Sequence, residues 1–316
     1  MAWILKPKSK AHLSEILAAE TGKRQVSKFD LSALTGIERH SPEDLTAIVA
    51  AGMTVKAMQQ ALAQHQQWLP IDPPRPEEMT VGELIAGNWS GPHRFGFGTI
   101  RDYLIGIKVI LADGTESNSG GQVVKNVAGF DLPRLFVGSE GSLGVIVEAI
   151  FKLGPIAEAR SLMSVEVDSG NEVGELGQKI LEHRLCPMIL DAHCVDRQGG
   201  RRAKPLVVVG FSGSSEDVKG QEERLSEILT TKPYRADYSN WFWQTHPQAR
   251  RSSVRPSELG ALLDGLSTEP WMARLGNGVV YHGEKNGASP RMPSDLELKL
   301  KAQFDPQGIL PAIPQT

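Results

Sequence analysis

The feature that most constrains the fold is a run of glycines and small residues, Gly138-Ser139-Glu140-Gly141-Ser142-Leu143-Gly144. Glycine adopts backbone conformations that other residues avoid, so this run predicts a tight turn. The apolar segment that follows, Val145 to Phe151, predicts a buried β-strand. A second turn signal, Asp113-Gly114, follows the apolar run Ile107 to Leu111 and indicates a hairpin. These signals predict a sheet whose strands are joined or preceded by tight turns.

Capping residues mark the helix starts in the first half of the chain. Ser9 and Thr54 each precede apolar residues at helical spacing. Thr80 and Glu83 have the spacing of a capping box, so we expect a helix that begins here with free backbone N–H groups at its tip. Such groups favour a phosphate, and Gly82 would let it approach the backbone closely. The alternative interpretation of this segment is a capped helix followed by loops.

The second half predicts strands alternating with helices. Strand-like runs are Leu162 to Val167, Met188 to Ala192, Leu206 to Phe211, Trp271 to Leu275 and Val279 to His282, and helical patterns cover Asn171 to Leu185, Ser215 to Leu229 and Ser257 to Leu266. This order predicts an α+β layer in which helices pack on an antiparallel sheet. Gly154-Pro155 marks the expected boundary between a first domain, residues 1–155, and a second, residues 156–316.

Composition excludes several classes of protein. A net charge of −3 over 316 residues gives no electrostatic case for nucleic acid or an anionic membrane. Two cysteines, Cys186 and Cys194, can build neither a disulfide framework nor a four-cysteine metal site. No stretch approaches the roughly 20 apolar residues of a membrane span. We therefore expect a cytoplasmic protein whose association with a membrane, if any, comes through a partner.

Several segments, in this order, resemble the flavoproteins of the vanillyl-alcohol-oxidase or p-cresol-methylhydroxylase (PCMH) type. They are Thr80-Val81-Gly82 through Asn88-Trp89-Ser90-Gly91, Gly98-Thr99-Ile100-Arg101-Asp102, Val123 through Leu132, Gly138 through Ile146, and the closing motif Phe304-Asp305-Pro306-Gln307-Gly308-Ile309-Leu310. The pattern is most similar to the glycolate oxidase E-subunit type. That resemblance implies a PCMH-type domain of two α+β subdomains that binds flavin adenine dinucleotide (FAD), followed by a ferredoxin-like α+β cap domain.

The resemblance also implies which residues meet the cofactor. Those expected at the pyrophosphate are Thr80, Val81 and Gly82. Those expected along the ribityl and isoalloxazine side are Ser90, Gly98 and Thr99, and Asn88 is also expected to contact the cofactor. The turn near the adenosine end would comprise Glu140, Gly141, Gly144 and Ile146, the last through its backbone. Lys125, Asn126 and Asp131 match the motif either as flavin contacts or as residues that organise the loop.

The sequence departs from the family in three places. The early Gly-x-Gly-Thr loop, which wraps the pyrophosphate, is missing from the interval Glu20 to Asp30, where one glycine remains. Charge-assisted hydrogen bonds contribute about 1.5–3 kcal/mol each, so losing two or three weakens binding by orders of magnitude. The stretch Gly283 to Pro293 is short, and the ending Leu310 to Pro314 lacks the usual Asn-Pro-Gly. Either the pocket is partly rebuilt, or the fold persists without firm flavin binding.

No catalytic base can be named from the sequence, because the eight histidines are scattered without metal-binding spacing. His93 either faces the flavin or is an ordinary loop residue. Arg94 and Arg101 are candidates to bind a substrate carboxylate, although Arg101 and Asp102 equally fit a structural ion pair. The aromatic run Trp241-Phe242-Trp243 fits a pocket or subunit contact, or a core or lid role.

Two functional hypotheses follow from the resemblance. The first is an FAD-binding subunit of a complex that oxidises a small 2-hydroxy acid such as glycolate, with a larger flavin subunit and an iron–sulfur subunit as partners. The flavin would take a hydride from the substrate carbon, or the partner subunit would perform that oxidation, which we favour because no base is visible here. The second is a flavin-free structural or interaction subunit that retains only the scaffold. Resemblance at the level of the fold does not separate the two.

Overall fold

The computed structural model describes residues 3–19, 25–121, 132–194, 204–229, 233–235, 242, 246, 249–266, 269–284 and 292–313. The chain divides into two compact units. Unit 1 comprises Met1–Ser90, Thr99–Ile156 and Ser289–Thr316, and unit 2 comprises Gly91–Gly98 and Ala157–Ala288. The sequence assigned residues 156–316 to one domain, whereas the structure groups the last segment with unit 1.

Helices and strands are interspersed along the described parts of the chain. The helices are α1 (Lys10–Ala19), α2 (Val55–Ala63), α3 (Val81–Ala86), α4 (Arg94–Phe97), α5 (Ile100–Tyr103), α6 (Leu132–Phe136), α7 (Gly170–Glu182), α8 (Ser215–Ile228), α9 (Leu259–Gly265) and α10 (Asp295–Phe304). The strands are β1 (Ile4–Leu5), β2 (Lys28–Phe29), β3 (Ile37–Ser41), β4 (Thr46–Ala50), β5 (Gln67–Trp68), β6 (Leu104–Ile110), β7 (Glu116–Gly120), β8 (Val145–Lys152), β9 (Gly154–Pro155), β10 (Ala159–Glu166), β11 (Ile189–Cys194), β12 (Leu206–Gly213), β13 (Tyr234–Arg235), β14 (Ala249–Ser253), β15 (Trp271–Arg274) and β16 (Val279–Glu284).

Unit 1 is built on a five-stranded antiparallel sheet in the order β3-β4-β8-β6-β7. The predicted hairpin joins β6 to β7, and Gly114 in its turn has a φ of +83°, which favours glycine. One face of the sheet packs against α2, α3 and α6, and the other packs against α1 and the C-terminal residues Ile309 and Leu310. Consecutive side chains of β8 therefore lie in different hydrophobic cores. Ile146 packs in the core with α2, α3 and α6, and Val147 packs in the core with α1.

The predicted helix caps of unit 1 are confirmed. The Ser9 hydroxyl accepts from the backbone N–H of His12, and the Thr54 hydroxyl accepts from Ala57. These short polar side chains satisfy N–H groups that the first turn of a helix leaves without a helical partner. The start of each helix is thus fixed locally by the sequence.

Unit 2 is built on a seven-stranded antiparallel sheet in the order β13-β10-β12-β11-β15-β16-β14. Helices α7, α8 and α9 contribute Val173, Val218 and Leu263 to a core with one face of that sheet. Helices α7 and α9 approach closely where Gly174 meets Gly260, with a Cβ built on Gly174 only 3.3 Å from the backbone of Gly260. The prediction of an α+β fold, with helices on an antiparallel sheet, is confirmed.

A buried carboxylate fastens the C-terminal segment. Asp305 accepts hydrogen bonds from the backbone N–H groups of Ile309 and Leu310, both at 2.9 Å, and from the Lys301 ammonium at 2.6 Å. The same ammonium donates to the carbonyl of Ser142 at 2.9 Å, in the glycine-rich turn. This network explains why the closing motif belongs to unit 1.

Candidate functional site

The first turn of α3 is held by a reciprocal pair of hydrogen bonds. The Thr80 hydroxyl accepts from the Glu83 N–H at 3.2 Å, and the Glu83 carboxylate accepts from the Thr80 N–H at 3.0 Å. The predicted capping box is therefore confirmed. The carboxylate also lies 3.1 Å from the ammonium of Lys28, the first residue of β2.

The next two N–H groups of α3 are bound to the turn that precedes α2. Val81 donates to the carbonyl of Met53 at 2.9 Å, and Gly82 donates to the carbonyl of Ala51 at 2.8 Å. Together with the capping box, these bonds give all four N–H groups from Thr80 to Glu83 an acceptor inside the protein. The prediction of free N–H groups at this tip is wrong, because acceptors distant in sequence reach it.

Gly82 is needed here for packing of the chain on itself. A Cβ atom at this position would lie 3.3 Å from both the Cβ and the carbonyl oxygen of Ala51. The absence of a side chain at Gly82 therefore allows the backbone of α3 to pack closely against Ala51. Gly82 itself is buried.

The pyrophosphate of FAD does not fit the first turn of α3 as the structure shows it. A dianion needs donors, and the four backbone donors of this turn are already bonded. An anion also lies there, because Glu83 is ionised: partial burial raises its pKa, but the Thr80 N–H and the Lys28 ammonium outweigh that effect and the pKa lies below its usual value. Thr80, Val81 and Gly82 thus stabilise unit 1 in this conformation.

The glycine-rich turn packs onto the other end of α3. Gly138 donates to the carbonyl of Ile85 at 3.1 Å, and Glu140 donates to the carbonyl of Ala86 at 2.9 Å. Gly138 has a φ of +83°, Glu140 of +47° and Gly141 of +79°, so the predicted tight turn is confirmed. The bond from Glu140 gives a partner to the carbonyl of Ala86, one of the carbonyls that the end of a helix leaves without a helical donor.

Asn88 lies beside this turn, so the structure brings two of the predicted segments together. Its Cβ is 3.6 Å from the position of a Cβ on Gly138, and its φ is +48°. The indole of Trp89 folds back against Gly87, where a Cβ would lie 2.2 Å from the indole nitrogen. Ser90 follows, half-buried. The C-terminal end of α3 and the glycine-rich turn thus form one partly exposed surface of unit 1.

Gly98 and Thr99 fall at the junction between the units along the chain. Gly98 ends α4 with a φ of +89°, and Thr99 begins α5, where its N–H donates to the Asp102 carboxylate at 2.8 Å. The guanidinium of Arg101 donates to the carbonyl of Arg134 at 3.1 Å. Arg101 and Asp102 therefore bind different groups in place of the predicted ion pair.

The remaining predicted cofactor residues lie in the core or outside the described residues. Gly144 is buried, and a Cβ on it would lie 3.1 Å from the ring of Phe136. Ile146 is buried in β8, opposite Val109 of β6. Lys125, Asn126 and Asp131 lie outside the described residues, as do Trp241 and Trp243.

The rings of His93 and Phe242 each pack against another ring. The ring of His93 packs against Phe97, with ring centroids 5.7 Å apart. Phe242 is buried in a small cluster with Met272 and Ala249 and stacks on His246. Phe242 therefore has a core role, which was one of the two interpretations of that run.

Sequence reasoning missed a buried ion pair in unit 2. Asp191 of β11 and Arg274 of β15 are register partners on adjacent strands, and their side chains are 0% and 5% exposed and bonded to each other. His193 lies two residues along β11, on the same face of the sheet. Burial lowers the pKa of His193 to about 4. The available signal was a single charge in the apolar run Ile189 to Ala192.

A cavity of about 300 Å³ lies in unit 1 between the β6–β7 turn and the C-terminal segment. Its lining residues are Leu111, Ala112, Asp113, Gln303, Phe304, Pro306, Gln307 and Ile309. None of the predicted cofactor residues is among them. The cavity therefore does not identify the cofactor site.

Among the residues that the structure describes, no cluster of three or more histidine, cysteine, aspartate or glutamate side chains is placed to hold a metal ion. In the same part of the chain, every helix is too short or too polar to cross a membrane.

Comparison with known proteins supports the class that these motifs indicate. Residues 12–119 match the protein family described as FAD binding domain. The chain is 36% identical over 149 residues to glycolate oxidase subunit GlcD of Bacillus subtilis, which is 47% of this chain and 32% of that protein. It is 33% identical over 187 residues to glycolate oxidase subunit GlcE of Escherichia coli, which is 59% of this chain and 50% of that protein.

The similarity extends to other dehydrogenases and to solved structures. D-lactate dehydrogenase of Archaeoglobus fulgidus is 35% identical over 147 residues, covering 45% of this chain and 33% of that protein. A structure of alkyldihydroxyacetonephosphate synthase superposes with a TM-score of 0.74 and 17% identity, over 98% of this chain and 76% of that chain. At that identity the match shows the fold alone. The chain spans half or less of the length of these curated relatives.

Residues 12–119 thus match the class of FAD-binding domains that the ordered motifs also indicate, and FAD is the cofactor of that class. Homologues of the chain include glycolate oxidase subunits GlcD and GlcE and a D-lactate dehydrogenase.

Proposed function

We propose that this protein is the FAD-binding subunit of a complex that oxidises a small 2-hydroxy acid, of which glycolate is the leading candidate. The observation that carries the proposal is the similarity to glycolate oxidase subunit GlcE, which extends over 59% of this chain. A larger flavin subunit and an iron–sulfur subunit would be its partners, and they would provide any contact with a membrane.

Within this proposal, the partner subunit carries out substrate oxidation. The environment of His193 supports that assignment. Burial lowers the pKa of His193 to about 4, which makes it a weak base at neutral pH.

A second candidate function is a flavin-free structural or interaction subunit. The first turn of α3 favours it, because the N–H groups from Thr80 to Glu83 are all bonded within the protein. This turn offers no free backbone donor, and the sequence lacks the Gly-x-Gly-Thr loop. The domain would therefore keep the fold of a flavoprotein but would not bind the cofactor firmly.

Flavin content distinguishes the two functions. The purified chain, alone and in its complex, is examined for flavin absorbance and for FAD released on denaturation. The FAD-binding function predicts about one FAD per chain, or uptake of added FAD. A colourless protein that takes up no added FAD contradicts it and supports the scaffold function.

The proposed partners are tested separately by affinity purification of the tagged chain from its own cells. The proposal predicts that a larger flavoprotein and an iron–sulfur protein purify with it in fixed ratio. Recovery of the chain without either protein, under mild salt, contradicts the complex.

A further inference from the structure

We propose that the carboxylate of Glu83 is an internal anion at the tip of α3 that opposes binding of the FAD pyrophosphate. The inference rests on the proposed function, since it assumes that FAD is the ligand that this domain meets. It makes Glu83 a determinant of cofactor affinity, acting by charge and by occupying donors.

The position of the Glu83 carboxylate supports this inference. It accepts from both the N–H and the hydroxyl of Thr80, at 3.0 and 3.1 Å, and lies 3.1 Å from the Lys28 ammonium. These are the kinds of group that bind a phosphate oxygen in proteins. A carboxylate supplied by the chain itself therefore holds the donors that a pyrophosphate would use at this tip.

The same turn has no spare donor among the backbone N–H groups from Thr80 to Glu83. Val81 and Gly82 donate to the carbonyls of Met53 and Ala51. A phosphate placed here would be repelled by the Glu83 carboxylate and would accept no hydrogen bond from a backbone N–H. Two like charges a few ångströms apart near a protein surface repel strongly enough to change an affinity by an order of magnitude, and salt reduces the effect.

The experiment compares the wild-type chain with E83Q. Glutamine retains the capping box, because its amide oxygen still accepts from the Thr80 N–H, while the negative charge is removed. The lost Lys28 pair is solvent-exposed, with side chains 63% and 43% exposed, so folding is preserved. Binding of FAD and of riboflavin is measured by calorimetric titration at low and high salt.

We expect E83Q to bind FAD about tenfold more tightly than the wild type, or about 1.4 kcal/mol, with a smaller gain at high salt. Riboflavin has no phosphate, so its affinity is expected to stay the same. The matched control is E297Q, which makes the same change in the capping box of α10, where Glu297 accepts from Ser294 at 2.7 Å. It should leave both affinities unchanged.

Equal FAD affinity in E83Q and the wild type overturns the inference, and so does an equal gain for riboflavin. A wild type without FAD and an E83Q that binds it would contradict the proposed function and support the inference. Firm FAD binding by the wild type that is unchanged in E83Q would support the proposed function and contradict the inference. If neither protein binds FAD, both fail. K28A gives an independent check, because leaving Glu83 without its cation should weaken FAD binding and leave riboflavin unaffected.

Discussion

At the scale of single residues, two buried carboxylates organise the molecule. Asp305 holds the C-terminal segment through two backbone N–H groups and Lys301. Asp191 pairs with Arg274 across two strands of unit 2. Removing a charge from water is costly, so such groups persist only where charged or N–H partners surround them. Truncating one partner of a buried pair therefore lowers the free energy of unfolding far more than losing a surface ion pair does.

Arg274→Met is expected to destabilise the protein by about 3–5 kcal/mol, because it leaves the Asp191 carboxylate buried without its cation. Urea unfolding measures the change. Lys56→Met is the control, since the Lys56–Glu77 pair is exposed and worth about 0–1 kcal/mol. The double variant D191L/R274M should recover most of the loss. A double variant as unstable as Arg274→Met would show that charge burial is not the cause.

His193 predicts a pH dependence of stability. Its folded pKa of about 4 lies below the ordinary value of 6.5, so the unfolded chain binds the proton more readily. The stabilisation is complete above pH 6.5 and is lost as the pH falls toward 4. We expect wild type to lose about 1–2 kcal/mol more than His193→Gln between pH 7 and pH 5. Equal losses in parallel urea titrations would exclude this role.

At the scale of elements, α3 shows how a short helix is fixed at both ends. Its first turn is bound by Met53 and Ala51, and its carbonyls at Ile85 and Ala86 accept from the glycine-rich turn. A six-residue helix has little stability of its own, so these tertiary contacts define it. Substitution of Gly82 in α3 and of Gly220 in α8 is expected to change stability in opposite directions, because only Gly82 lies in a close tertiary contact.

Gly82→Ala is expected to destabilise unit 1 by about 1–3 kcal/mol, because the new methyl group would lie 3.3 Å from Ala51 in a closely packed contact. Thermal unfolding measures the effect. Loss of FAD from a Gly82 variant would consequently report damage to the fold as well as any loss of a ligand contact. An unchanged melting temperature would mean that α3 and the Ala51 turn separate at little cost.

Gly220→Ala is expected to stabilise the protein by up to about 1 kcal/mol. Gly220 lies inside α8, and a Cβ built on it meets open space. Alanine reduces the backbone freedom of the unfolded chain without a new contact in the folded one. A melting temperature at or below that of the wild type would contradict this.

Local signals predicted most elements, and contacts distant in sequence decided the site. Ser9, Thr54 and the Thr80–Glu83 box act on N–H groups within three residues, so their effects could be inferred from spacing. The acceptors that bind α3 come from a turn far earlier in the chain, and no local pattern indicates them. The Asp191–Arg274 pair was missed for the same reason, since it forms between strands.

At the scale of the whole molecule, one core of unit 1 includes residues that follow unit 2 in the sequence. Ile309 and Leu310 are buried beside Leu13 and Leu17 of α1. Deleting residues 293–316 is expected to lower the stability of unit 1 and to leave the core of unit 2 protected. Hydrogen exchange resolved by segment checks this, through amides of β8 in one unit and β12 in the other. Uniform loss of protection would show that the units unfold together.

The division of unit 1 into separated segments sets an order for its folding during synthesis. Residues 157–288 are translated before the Asp305 motif, so unit 2 is complete while one core of unit 1 still lacks Ile309 and Leu310. At about 5–20 residues per second, translation of residues 157–288 takes on the order of ten seconds. Throughout it, apolar side chains of α1 and β8 lack their final cover. A nascent chain of this protein is therefore expected to expose part of one core of unit 1 until Ile309 and Leu310 are available.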